Sequence, residues 1–206
     1  MITLFYAPGT CALAPHIVLE WIGEPYKLEK VQLRSPEVLK INPLGQVPAM
    51  IDGDSGVMNQ ADALLKYLAH KYPDVKLGDN GTLQDAYELD RWLAFLTGDV
   101  HPAFFPFFGP QRYWSDSNED AIKTIKEASY KLIDRVFKHL DQHMEGKNHL
   151  VGDRRTIADP YAFAMIRWGN YIPDHPLTDY PNIHCFFQQM KQDEGVQRAL
   201  EQQGIK

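Results

Sequence analysis

Residues 2–6 (Ile-Thr-Leu-Phe-Tyr) are β-prone, and Ala7-Pro8-Gly9-Thr10 breaks the run before Leu13, Ile17 and Trp21 recur at helical spacing up to Gly23. A second strand is predicted over residues 26–33, and Ser35-Pro36-Glu37 opens a short helix ending near Ile41. Asn42-Pro43 with Gly45 is turn chemistry. Val47 to Ile51 then reads as a short strand, separated by Asp52-Gly53-Asp54-Ser55-Gly56 from Val57-Met58, which makes a β-hairpin. A helical stripe follows at Ala61, Leu64, Leu65, Leu68 and Tyr72, with Asn59 as its N-cap. The resulting β-α-β-α-β-β-α string is the thioredoxin-like order, an α/β unit with a mixed four-stranded sheet and flanking helices.

Residues 71–81 are turn-rich and poor in apolar side chains. They divide the chain into a thioredoxin-like domain, 1–75, a linker, 76–82, and an all-α helical-bundle domain, 83–206. Helices are predicted over residues 83–98, 118–144, 157–168, 182–190 and 195–200. The long one carries a stripe at Ile122, Ile125, Ser129, Leu132, Val136 and Leu140. Thr156-Ile157-Ala158-Asp159 has capping-box spacing, which gives Asp159 a folding role and not a catalytic one.

A chain of 206 residues that is 44% apolar is long enough to bury a core. Its formal net charge of −6 argues against nucleic acid or an anionic membrane as main partner. Cys11 and Cys185 lie far apart with no Cys-x-x-Cys pair, so neither a disulfide framework nor a thiolate zinc site is indicated. The histidines show no ligand spacing, so no metal is expected. Lack of a signal peptide or long apolar run points to a reducing, cytoplasmic setting.

Four places carry chemistry. Cys11 stands at a helix start, where free N–H groups favour a thiolate; a two-unit fall in pKa corresponds to about 2.7 kcal/mol. The other reading is a small buried hydrophobe. Ala12-Leu13-Ala14 offers no resolving thiol, so dithiol exchange is not expected. Pro48 at a strand start leaves backbone free beside a helix N-terminus, a way to hold an extended peptide and a carboxylate together. His101, two residues after Asp99 and just before Pro102, sits where a helix ends or kinks; its ring either points into an interdomain cleft or packs in the core. Phe104, Phe105, Phe107, Phe108, Tyr113 and Trp114, with Trp168 and Tyr171, supply core and a pocket wall, in a division that sequence does not settle.

Leu-Phe-Tyr-Ala-Pro-Gly-Thr-Cys-Ala-Leu-Ala-Pro-His, then Gln-Val-Pro-Ala, then Asn-Gln-Ala-Asp-Ala-Leu-Leu-Lys-Tyr-Leu resemble the glutathione transferases, in particular the bacterial beta-type members. The resemblance implies a cis Pro48, with Val47 pairing to the cysteinyl backbone of glutathione and Gln60 and Ala61 taking the γ-glutamyl end. It places Cys11 and His101 at the sulfur, with Tyr6 a secondary candidate. It brings Arg34, or else Lys40, to the glycine end and has Asp99 reach across a homodimer. Ala61 stands where the family usually has serine, and Asp62 adds a like charge near the ligand carboxylate. The implied function is conjugation of glutathione, as co-substrate, to small apolar electrophiles. Thiol reduction or dehalogenation through a Cys11 mixed disulfide, isomerisation of small unsaturated acids, and a non-catalytic binding protein are the alternatives.

Overall fold

The computed structural model describes residues 1–114, 118–173 and 175–205. Strand β1 (Ile2–Tyr6) buries Ile2, Leu4 and Tyr6 and turns the alternate residues the other way. Helix α1 (Leu13–Ile22) stops at Gly23, whose φ of 77° forms a left-handed cap. Strand β2 (Tyr26–Lys30) returns parallel to β1, and helix α2 (Pro36–Ile41) follows, capped by the Ser35 side chain. Strands β3 (Ala49–Asp52) and β4 (Met58–Asn59) form the antiparallel hairpin, and helix α3 (Ala61–Lys71) completes the unit. The sheet order is β2-β1-β3-β4, the expected mixed four-stranded sheet.

Two boundaries differ from expectation. Strand β2 ends at Lys30 because β1 offers only five partners, and the Val31 N–H closes the ladder on the Tyr6 carbonyl at 2.8 Å. Asn59 pairs with Ala49 in the hairpin instead of capping α3. Gln60 is the cap, with φ 72° and no capping bond from its side chain.

The rest is helical: α4 (Leu83–Phe95), α5 (His101–Ala103), α6 (Phe105–Phe108), α7 (Glu119–His143), α8 (Ala158–Trp168), α9 (Pro181–Lys191) and α10 (Glu194–Gln203). Between α4 and α5, Leu96–Val100 form a π turn in which the His101 N–H reaches the Leu96 carbonyl five residues back. Pro102 has no N–H to give Gly98, and the widened turn is where the helix absorbs that loss. In α7 the buried face runs through Ser129, Ile133, Val136, Phe137 and Leu140. Leu132, assigned to that face from the sequence, is 39% exposed. Adjacent apolar residues at 132 and 133 satisfy the same period, and only packing chooses between them.

Every residue of α8 is buried, as befits a helix surrounded by others. Its start is the capping box. Asp159 accepts the Thr156 N–H at 2.7 Å and hydroxyl at 3.3 Å on one oxygen and the Leu150 N–H at 2.8 Å on the other, with no exposed surface.

Helix α1 packs against α3 on one side and against α8 and α10 on the other, so one hydrophobic core runs through the sheet unit and the bundle. Polar ties cross the same seam. Trp21 Nε1 donates to Asp193 Oδ1 at 2.7 Å, Arg198 pairs with Glu20 at 2.6 Å, and the Ile157 N–H bonds the Leu77 carbonyl at 2.9 Å. Among the described residues no helix is long and apolar enough to cross a membrane.

Candidate active site

A cavity of about 670 Å³ opens where the two units meet. The sheet unit contributes the Pro8–Cys11 loop, Leu33, Arg34, Gln46 and Val47. The facing wall is His101, Phe105, Phe108, Trp168 and Tyr171, with the Gly109–Arg112 turn at its rim.

The loop is held from both sides. Gly9 has φ 73°, which spares it the strain a side chain would bring, and its N–H donates to Gln203 Oε1 at 3.1 Å. Trp168 Nε1 donates to the Gly9 carbonyl at 2.8 Å. Gln203 in turn bonds His16 Nδ1 at 3.0 Å, so the fully buried His16 carries its proton on Nε2, facing Gln202 Oε1 at 3.1 Å. Burial holds the pKa of His16 below the usual histidine value, which keeps this link neutral.

The Val47-Pro48 bond is cis. The β1–β3 register ends at Ala49, so the Val47 backbone lies beyond the last paired residue, and its carbonyl receives the Cys11 thiol at 3.6 Å. Because Ala49 faces Asn59 across the hairpin, Gln60 and the α3 N-terminus stand beside Pro48.

Cys11 corrects an expectation. It lies just before α1, yet it is 6% exposed, and burial pushes its thiol up to about 12 instead of lowering it. Desolvation of the anion outweighs the helix start. Cys11 is therefore a neutral S–H donor. At pH 8 such a thiol is overwhelmingly protonated. Iodoacetamide on the native protein is thus expected to label the exposed Cys185 and leave Cys11 unmodified until the chain is denatured, as peptide mass spectrometry will show. Rapid native labelling of Cys11 would contradict the buried thiol.

His101 sits between Phe105 and Trp168, each with its ring centroid 5.0 Å away. Burial and then the positive charge of Arg112 lower its pKa to about 4, so at neutral pH it is an uncharged imidazole with one N–H to give.

Of the residues singled out from sequence, Cys11, Arg34, Val47 and His101 line the cavity. Tyr6 does not: it is buried with Ala7, Ala12 and Val47, its ring 6.2 Å from that of His16. Pro48 and Ala61 are buried and do not line the cavity, Gln60 is exposed at the α3 cap, and Asp99 is exposed on the π turn. Lys40 is exposed at the end of α2, also away from the cavity. Among the aromatics, Phe104 and Trp92 are core, whereas Phe108 and Tyr171 are about half exposed and face the cavity. Arg112, Gln111 and Gln46 were missed. Among them only the glutamine before Val47 had a local signal, its place in the turn ahead of the proline.

Two family models match the chain: the glutathione S-transferase N-terminal domain over residues 9–71 and the glutathione S-transferase C-terminal domain over residues 96–194. A glutathione S-transferase of Xanthomonas campestris pv. campestris is 37% identical over 98% of both chains. Among solved structures, a glutathione S-transferase from Xylella fastidiosa superposes with a TM-score of 0.91 at 31% identity, over the full length of both chains. The beta class enzyme of Sphingomonas chungbukensis gives 0.87 at 31% identity, covering 99% of this chain and 100% of that one. A sphingomonad glutathione S-transferase in complex with glutathione gives 0.86 at 30% identity, with the same coverage. By sequence and fold together, the chain belongs to the glutathione S-transferase family and stands close to its bacterial beta class.

Proposed function

We propose that the protein conjugates glutathione through its sulfur to small apolar electrophiles. The observation that carries the reading is the convergence, in one cleft, of the Val47 backbone, beyond the last residue paired in the sheet, with two uncharged donors, the Cys11 thiol and the His101 imidazole. The Val47 backbone would pair with the cysteinyl segment of the tripeptide. The α3 N-terminus and Gln60 would take the γ-glutamyl carboxylate and Arg34 the glycine carboxylate.

The glutathione sulfur then rests beside Cys11 and His101. His101 gives a hydrogen bond to the thiolate, and Cys11 gives another when its S–H turns from the Val47 carbonyl to the ligand, favouring loss of the glutathione proton to solvent. The sulfur attacks an electrophilic carbon, an S–C bond forms, and the leaving group departs with its electron pair. Aromatic rings on the facing wall hold the electrophile and exclude water. A Cys11 mixed disulfide would need the Cys11 thiolate, which burial opposes.

The reading takes residues 1–75 as the glutathione-binding unit, 76–82 as its linker and 83–206 as the helical unit. It includes a cytoplasmic homodimer in which Asp99 serves the partner's glutathione, with no nucleic acid, membrane or metal involved. Calorimetry with glutathione and an absorbance assay with an uncharged aryl chloride test it. A saturable isotherm and turnover above the uncatalysed rate are expected. No heat at millimolar glutathione would reduce the protein to a fold without the function, the outcome that Ala61 and Asp62 invite.

A further inference from the structure

The cavity carries two guanidinium groups, Arg34 and Arg112, and no carboxylate among its described lining residues, in a chain whose net charge is −6. Arg34 sits on the sheet side, beside the loop and Val47. Arg112 belongs to the opposite wall, among the rings that would hold the second substrate.

Its placement has a local cause. Pro110 is buried and anchors a tight turn, in which the Arg112 N–H bonds the Gly109 carbonyl at 3.0 Å. A side chain at Gly109 would stand 3.2 Å from Arg112 Nε, so the glycine lets the arginine fold back over its own turn. The guanidinium then lies 5.5 Å from the centre of the Phe105 ring. Among the described residues no carboxylate pairs with it, and its charge is felt at His101. Phe108 and Tyr171, 52% and 48% exposed, line the same cavity, and Trp168 packs edge-on against Phe108. Exposed aromatic rings set edge-to-face, beside a cation with no carboxylate partner among the described residues, suit a ring bearing a negative charge.

We propose that the preferred electrophiles are aromatic compounds carrying an anionic group, with the ring against Phe108, Trp168 and Tyr171 and the anion at Arg112. This rests on the transferase reading and narrows its substrate class. For an aryl halide, the glutathione thiolate forms the S–C bond at the halogen-bearing carbon, and halide leaves with the electron pair. The distal carboxylate or sulfonate takes no part in bond changes.

The test uses one scaffold in two charge states, a chlorodinitrobenzoate and its uncharged carboxamide. The ratio of kcat/KM for the carboxylate over the carboxamide is measured in the natural protein, Arg112→Gln and Arg112→Lys, each corrected for the uncatalysed rates. The ratio is expected to favour the carboxylate in the natural protein. It should fall about tenfold in Arg112→Gln, while Arg112→Lys keeps part of the preference. An unchanged ratio in Arg112→Gln would overturn the proposal. So would an unchanged ratio with a raised KM for glutathione, which would assign Arg112 to the tripeptide.

Binding of both compounds without glutathione, followed by quenching of tryptophan fluorescence, separates the two levels of the argument. If neither compound is conjugated, the transferase reading fails. Tighter binding of the carboxylate, lost in Arg112→Gln, would still uphold an anionic-aryl site, and equal binding would overturn it.

Discussion

Asp159→Ala is expected to lower the stability of the folded chain by on the order of 2–4 kcal/mol, because it leaves buried N–H donors unsatisfied at about 1–3 kcal/mol each. The carboxylate has no exposed surface and receives three protein donors from two segments, Leu150 on one side and Thr156 on the other. Alanine leaves those buried donors without their acceptor. It also unties the Leu150 strand of chain from the start of α8, the helix around which the bundle and α1 pack. For a protein of this size the loss corresponds to roughly 10 °C in melting temperature. Urea unfolding measures it directly, and Asp159→Asn should fall between the two, since an amide keeps one acceptor and turns a donor toward a donor. Activity per folded molecule should survive at low temperature, because Asp159 does not line the cavity. A loss below about 1 kcal/mol would remove the capping box from any account of the fold.

Acidification should destabilise the protein well before its carboxylates titrate. Burial holds His101 at about 4, and it also lowers His16 and His143. For each, the unfolded chain, titrating near 6.5, binds a proton that the folded chain refuses. The contribution is therefore fully present above pH 6.5 and is lost as pH falls toward the folded value. For His101 the loss by pH 4 is about 3 kcal/mol. The sign is the reverse of that for a histidine stabilised by an acidic partner. Stability measured by urea between pH 6.5 and 5 should rise with pH, and His101→Gln should flatten the slope by up to one proton, about 1.4 kcal/mol per pH unit. An unaltered slope in that variant would mean that His101 is solvated when folded. The carboxylates held low by ion pairs, Asp52 and Asp134, act in the same direction but only at lower pH, below the range of this comparison.

The sheet unit was legible because each of its elements is short and punctuated. Gly23 ends α1, Ser35-Pro36 starts α2, and the Asp52–Gly56 turn closes the hairpin, all through backbone chemistry that acts within a few residues. The cleft was legible in part for the same reason, since Pro48 and the helix starts are local signals. What escaped depends on what the chain brings from far away. The helix start beside Cys11 predicts an acidic thiol, but Val47 and the surrounding core remove the water that an anion needs, and the dehydration dominates. Leu132 and Ile133 are equivalent until α7 has neighbours. Arg112 follows Gly109 and Pro110 with no pattern of its own, and only the fold shows that this turn faces the cavity. The cap of α3 is Gln60, at a φ of 72°, and not Asn59, because the hairpin pairing with Ala49 takes up Asn59, a partner no local pattern reveals.

The bond from the Gly9 N–H to Gln203 spans 194 positions of the chain. A polypeptide made from its amino end has therefore finished the loop before Cys11 long before the residue that steadies it has been synthesised. A nascent chain halted just before α10 already has the Trp168 tie to the Gly9 carbonyl but lacks the one from Gln203, so the last helix supplies the second of the two supports that fix the loop at the mouth of the cleft.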